Sequence, residues 1–411
     1  MARERIVVGI DVGTTKVCAL IAAVSEDDQL EVIGVGVVPS RGLKKGVVVS
    51  VEETVESIEA AVAKAEQQSG FKIVSAYVGI AGAHISSVNS HGVVAVHRHD
   101  NVITEDDVNR ALEAARVVTI PPDREIVHVL PRHFIIDGQE GIKDPAGMLG
   151  HRLEVDTTIV AGSATSLNNM MRCVERVGIG IDDLVLQPLA AGEAVLTDAE
   201  RELGVVLLDI GGGTTDIAVF CDGSLAYASI LPIGGNHISN DIAMGLRTPF
   251  AAAEEVKLRH GYALPELIEE DRTIEVAAFE RDEGRTVSLR LLGEIIQDRL
   301  DETFDLVREQ LAKGGYEGGL PAGIVLTGGT AQLRGIRRLA AQRFQGPVRI
   351  GVPTGMFGLV DTISGPAFAA SAGLLKYGLK QEEDGASQRH TPSPLSGAVG
   401  SVLTWLRSFL P

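Results

Sequence analysis

The sequence predicts an α/β protein whose two similar halves face each other across a ligand cleft, with a further α+β domain inserted in the first half. Three observations predict this. The segments VVGIDVGTTK from Val7 and VVLLDIGGGTTD from Val205 repeat one pattern: apolar strand, Asp, apolar residue, Gly, Gly/Thr turn, second strand. One copy is weak, because a lone Asp-x-Gly turn is equally a plain hairpin, but two copies about 200 residues apart read as a duplication. The texture also changes near Ile85 to short strands, polar turns and one helix, and changes back near Val160. Finally, 411 residues exceed the roughly 250–300 at which a single core stops growing.

Composition narrows the function. Thirty-seven Lys+Arg against 55 Asp+Glu leave a net charge of −18, which excludes bulk nucleic-acid binding. Forty-seven glycines with only 4% aromatics fit close backbone approach to a small ligand rather than base stacking. Cys18, Cys173 and Cys221 are scattered without CxxC spacing, so neither a disulfide framework nor a zinc site is expected. His128, His133 and His151 lack metal spacing and read as structural or surface residues. No signal-peptide pattern opens the chain and no apolar run approaches ~18 residues, so a cytosolic protein is expected.

The elements follow in order. Ile6 to Ile21 reads as a hairpin. Val47 to Gln68 has helical spacing, with Val51, Val55, Ile58, Val62 and Ala65 on one face. In the insertion, Thr104 and Asp107 make a capping-box-like start. Leu167 to Val177 reads as a helix, and Asp182 to Leu196 as a strand feeding another. After the second hairpin, Val205 to Phe220, a helix opens at Thr248-Pro249 and closes at Gly261. Short acidic strands fill Pro265 to Arg290, and a long helix follows from Leu291 to Leu311. A strand at 323–326 runs into Gly328-Gly329, and a small-residue helix follows Gly365.

The chemistry sits in four pieces. Gly13, Gly211, Gly212 and Gly213, with Thr14, Thr15, Thr214 and Thr215 in the same turns, let backbone N–H groups approach a phosphate from two sides. Asp11 and Asp209 at the strand ends, with Asp216, can hold Mg²⁺ mostly through its waters, and Lys16 supplies a point charge. Gly328 and Gly329 offer a backbone shelf for a nucleoside. Glu254 and Lys257, three apart on one helix, could grip the ribose and purine edge, although taken alone such a pair is more often a solvated face.

With these pieces in order, the chain resembles the actin and heat-shock-chaperone ATPase superfamily, and within it the FtsA family of bacterial cell-division proteins. LDIGGGTTDIAV carries the first resemblance; the insertion from Ile85 to Val160, QPLAAGEAVL from Gln187 and GPAFAASAGLLKYG from Gly365 carry the second. The resemblance implies an actin-like duplicated two-domain ATPase fold. Its first half would be 1–84 plus 161–198 and 362–380, its insertion 85–160, and its second half 199–361 with a smaller lobe at 238–300. It implies ATP and Mg²⁺ as ligands, and a polymer-forming tether of the tubulin-like protein FtsZ to the cytoplasmic face of the membrane at the division site. Partners would be the FtsZ C-terminal peptide, received near Arg299, further copies of the chain, membrane lipids and other division proteins. Gln187 stands where the chaperones place a glutamate; an amide can orient water but cannot take its proton, so hydrolysis is expected to be slow.

The end of the chain reads without the family. Residues 381–397 are polar and Pro/Ser-rich and are expected to be a disordered linker. In 398–411, Val399, Val402, Leu403, Leu406, Phe409 and Leu410 form one apolar stripe beside Trp405, with Arg407 the only charge. A helix of that kind can lie in a membrane interface, and polymerisation would strengthen a weak anchor by avidity. Two alternatives stand beside this reading: a cytosolic actin-like scaffold of the pilus-assembly (PilM) or plasmid-segregation type, and a sugar-kinase-type phosphotransferase.

Overall fold

A computed structural model of the chain describes residues 5–97, 100–268, 272–277 and 285–389. Two sheets carry the same strand plan. In the first, the hairpin Arg5–Val12 and Lys16–Val24 continues antiparallel into Leu30–Pro39, while Ser75–Ile80 and Gly180–Leu186 add parallel strands on the other side of Arg5–Val12. In the second, Val205–Ile210 and Thr215–Cys221 continue into Ser224–Leu231, and Ile324–Thr327 and Val348–Ile350 add parallel strands on the other side. The central strands are buried on both faces, which is why they read as continuous Val/Ile/Leu runs rather than alternating patterns.

Helix Val51–Ser69 covers the first sheet with Ile58, Ala61, Val62 and Ala65. It starts later than its apolar spacing suggests because Ser50 caps it, accepting the Glu53 N–H. Val47 and Val48 instead pair with Leu43 and Lys44 in a two-stranded ribbon. Helices Gln187–Val195 and Ala369–Arg389 cross beside the first sheet at Gly373, where a Cβ would overlap the Ala190 carbonyl. That close approach lets the C-terminal helix lie along the first strand.

The insertion is a sheet of Ser86–Ala95, Arg152–Ser163, Arg124–Ile136 and Gln139–Ile142 with helix Glu105–Arg116 on one face. Its own small core contains Ile103, Ala111, Ala115, Phe134, Leu153 and Val155. Asp107 accepts the Thr104 N–H at 2.9 Å and begins that helix. The inserted sheet is continuous with the second sheet, because Ser86 bridges to Ser229.

Two expectations are corrected. Thr248 does not cap the helix Phe250–His260: it is buried and donates to the Ala277 carbonyl, and Pro249 holds the cap position. The last helix runs to Arg389, nine residues into the segment expected to be a disordered linker. Polarity was misleading there, since Gln381, Glu382 and Glu383 are good helix formers, and Arg5 bonds Glu382 to tie the helix to the first strand. The rest of that segment and the tail stripe, Val399, Val402, Leu403, Trp405, Leu406, Arg407, Phe409 and Leu410, lie outside the described residues. Among the described residues no helix is long and apolar enough to cross a membrane.

Candidate functional site

The two hairpin turns meet at one cleft, a cavity of about 420 Å³. They pack against each other so closely that a Cβ on Gly212 would overlap Thr15 Cγ2, and one on Gly213 would stand 2.7 Å from Thr14 Oγ1. Glycine is needed here for backbone proximity, as the repeated Gly/Thr pattern indicates. The second turn is braced from behind: Gly235 and Asn236, at the N-terminus of helix Gly235–Leu246, donate to the carbonyls of Gly211 and Gly212 at 2.9 and 2.8 Å.

Three aspartates line the cleft. Asp11 is buried, and both its oxygens are taken: Oδ1 accepts Gln187 Nε2 at 2.7 Å and Oδ2 accepts Ser371 Oγ at 2.6 Å. Asp209, at the matching strand end, is raised above the usual carboxylate range by burial; Lys16 pulls it back down and Asp11 adds to the rise. Asp216 is pushed well up by burial first and by Asp209 next. Its Oδ1 is buried with no hydrogen-bond partner. An orphaned buried oxygen beside two more carboxylates is an acceptor that a hydrated cation would satisfy. Among the described residues no three His, Cys, Asp or Glu converge closely enough to ligate a metal directly, so such a cation would keep much of its water.

Lys16 lines the cleft, donates to the Ala367 carbonyl at 2.5 Å and lies 4.9 Å from the centre of the Phe368 ring. Its ammonium is therefore held between the first turn and the C-terminal segment. On the far wall Glu254 and Lys257 are a partly buried pair rather than a solvated one. Lys257 Nζ donates to Glu254 Oε2 at 2.7 Å, Ser239 Oγ at 2.8 Å and the Gly235 carbonyl at 3.0 Å. Burial lowers the ammonium's pKa, and Glu254 opposes that. Gly328 adopts φ +85 and sits where a Cβ would overlap Asp209 Oδ1, so only glycine serves there.

Of the residues singled out from sequence, Asp11, Gly13, Thr14, Thr15, Lys16, Gln187, Asp209, Gly211, Gly212, Thr214, Asp216, Glu254, Lys257, Gly328 and Gly329 line this cavity. Thr215 is corrected: it is fully buried and donates to the Ile233 carbonyl at 2.8 Å, because alternation along the strand turns it away from the cleft. Gly213 does not line the cavity either; it packs on Thr14. Arg299 lies on helix Leu289–Lys313, away from the cleft, and its guanidinium is paired with Asp241 and Glu302. Sequence reading missed Gly235, Asn236, Ser239 and Ser371. The Gly234-Gly235 pair ahead of a helix was the available signal for the first two; nothing local marked the serines.

Two duplicated sheets holding opposed Asp/Gly/Thr hairpins around one cleft define an actin-like ATPase fold. Solved structures agree: this fold superposes on a PilM-PilN type IV pilus biogenesis complex with a TM-score of 0.65 at 15% identity, covering 91% of this chain and 98% of that one. It also matches MreB5 of Spiroplasma citri bound to ADP with a TM-score of 0.55 at 15% identity, covering 93% and 98%. The chain belongs to the FtsA family of cell-division proteins. It is 46% identical over 392 residues to cell division protein FtsA of Pseudomonas aeruginosa, covering 95% of this chain and 94% of that one. To FtsA of Bacillus subtilis it is 42% identical, covering 92% and 84%, and to FtsA of Escherichia coli 37%, covering 99% and 98%. The family model for cell division protein FtsA matches residues 206–373, and that for the SHS2 domain inserted in FtsA matches residues 82–161.

Proposed function

We propose that this protein binds Mg-ATP between its two hairpins, polymerises, and tethers the FtsZ ring to the cytoplasmic membrane while recruiting other division proteins. The observation that carries the ligand assignment is the unpartnered buried Oδ1 of Asp216 beside Asp11 and Asp209, between two glycine turns whose N–H groups suit phosphates. Asp11, Asp209 and Asp216 would hold the cation, which would supply charge neutralisation for the terminal phosphates. Lys16 adds a positive point charge, and Glu254 and Lys257 would meet the ribose and purine side. Gln187 can orient a water but cannot accept its proton, so the nucleotide acts as an assembly ligand that is turned over slowly.

The membrane half of the proposal rests on the apolar stripe at 398–411 and on family membership. FtsZ, received on the smaller lobe that bears Arg299, is the proposed ring partner. Trp405 is the chain's only tryptophan and reports that segment without background. Its emission should shift to the blue when anionic vesicles are added, and at lower lipid concentration when Mg-ATP is present. No shift under either condition would overturn the tether and leave a cytosolic actin-like scaffold.

A further inference from the structure

The inserted domain interrupts the chain of the first half, between strands Ser75–Ile80 and Gly180–Leu186, yet it contacts both the strand that leads to Gln187 and the second half. His128, on its strand Arg124–Ile136, is 6% exposed, and its Nε2 accepts the Leu186 N–H at 3.0 Å. Leu186 ends a first-half strand, and the next residue is Gln187, whose amide holds Asp11. Pro188 follows at the first turn of helix Gln187–Val195 and brings no N–H. The Leu186 amide is therefore fixed from outside its own half, by a ring that packs edge-on against Tyr377 of the C-terminal helix. At its other edge the insertion meets the second half: Ser87 Oγ donates to the Ala228 carbonyl and accepts the Ala228 N–H, both at 2.9 Å.

We propose that the inserted domain sets the position of Gln187 in the cleft through His128, and so tunes how tightly the cleft holds a terminal phosphate. His128 is a positioning residue in this scheme; it acts through the Leu186 peptide and touches no ligand. The inference rests on the nucleotide reading of the cleft. A purely structural His128, which only satisfies a buried amide, predicts lost stability but no dependence on Gln187.

The discriminating experiment is calorimetric titration of the full chain with Mg-ATP, comparing wild type, His128→Leu, His128→Gln, Gln187→Ala and the His128→Leu/Gln187→Ala pair. His128→Leu fills the site without an acceptor and should weaken Mg-ATP binding about tenfold, while His128→Gln, whose Oε1 can replace Nε2, should stay within about twofold. In the Gln187→Ala background, His128→Leu should cost less than about twofold. An equal loss in both backgrounds, or no loss from His128→Leu, overturns the proposal. A wild-type chain that does not bind Mg-ATP is a different result: it removes the nucleotide reading and this inference with it. Should His128→Leu fail to fold, hydrogen exchange on the wild-type chain decides. Peptides spanning 124–130 and 184–188 should gain protection together on addition of Mg-ATP, and protection of the second alone overturns the coupling.

Discussion

Gln187 Nε2 donates to Asp11 Oδ1 at 2.7 Å, joining two residues 176 apart in the chain. Ser371 holds the other oxygen of the same carboxylate. One side chain at the end of the first strand is thus oriented by two helices, both of which are in place only when the first half is assembled.

Replacing Gln187 by Glu sets a second carboxyl against Asp11 in a buried site. Two adjacent carboxyls cannot both ionise cheaply, so one keeps a proton at neutral pH. The variant should lose ~1–3 kcal/mol of stability at pH 8 and less at pH 5, read by urea unfolding at both values. Equal losses at both pH values would mean that the amide acts only as a packing group.

Gly212→Ala drives a methyl group into Thr15, and overpacking of this kind costs about 1–3 kcal/mol. Thr15→Ser removes the Cγ2 that is struck. The double variant should regain most of the melting temperature lost by Gly212→Ala alone. A double variant no more stable than the single one would show that the two turns do not bear on each other.

Lys257→Met leaves Glu254 without its cation while Ser239 still donates to it. The Glu254 side chain remains 32% exposed, so the expected loss is ~1–2 kcal/mol by chemical unfolding, below that of a fully buried pair. Combining it with Glu254→Gln should recover part of that loss.

Burial lowers the His128 pKa from 6.5 to about 4. Its folded value lies below its unfolded one, so its contribution is complete above pH ~6.5 and disappears as the pH falls through 4. The loss amounts to about 3 kcal/mol at most over that window. Asp209 and Asp216 work in the opposite direction, because raised carboxyls protonate more readily in the folded chain. His128→Gln removes one titrating group, so its stability should fall less than that of wild type between pH 6.5 and 4. Parallel profiles would show that His128 is not held neutral.

Asp216→Asn removes a buried carboxyl whose ionisation Asp209 and burial both oppose. Without ligand the variant should melt at the wild-type temperature or above it, since an unpaired buried carboxylate is costly. Titration with ATP in the presence of Mg²⁺ and of chelator should then give similar affinities, whereas wild type should show a clear preference for Mg²⁺. A variant that keeps the preference would remove Asp216 from the cation site.

How much of this was legible varies with the range over which each determinant acts. The hairpins at Val7 and Val205, the glycine turns and the carboxylates at strand ends follow from local pattern, since a strand, a turn and a close backbone approach each demand particular residue types. Thr215 faces away from the cleft because one step along a strand reverses the side chain's face, and a turn's composition does not count that step. The last helix continues past residue 380, where polar composition predicts a linker, because composition says nothing of the Arg5–Glu382 contact made across the fold.

By itself the sequence determined the duplication, the insertion, the Gly/Thr turns and the acidic net charge, none of which depends on how the chain packs. Only the tertiary structure decided which surfaces meet. It buried Lys257 against Glu254 and Ser239, tied Arg299 to Asp241, set Ser371 and Gln187 on Asp11, and placed His128 of the insertion behind Gln187. Those pairings join residues far apart in the chain, and their geometry follows from how helices and sheets pack, which no local pattern encodes.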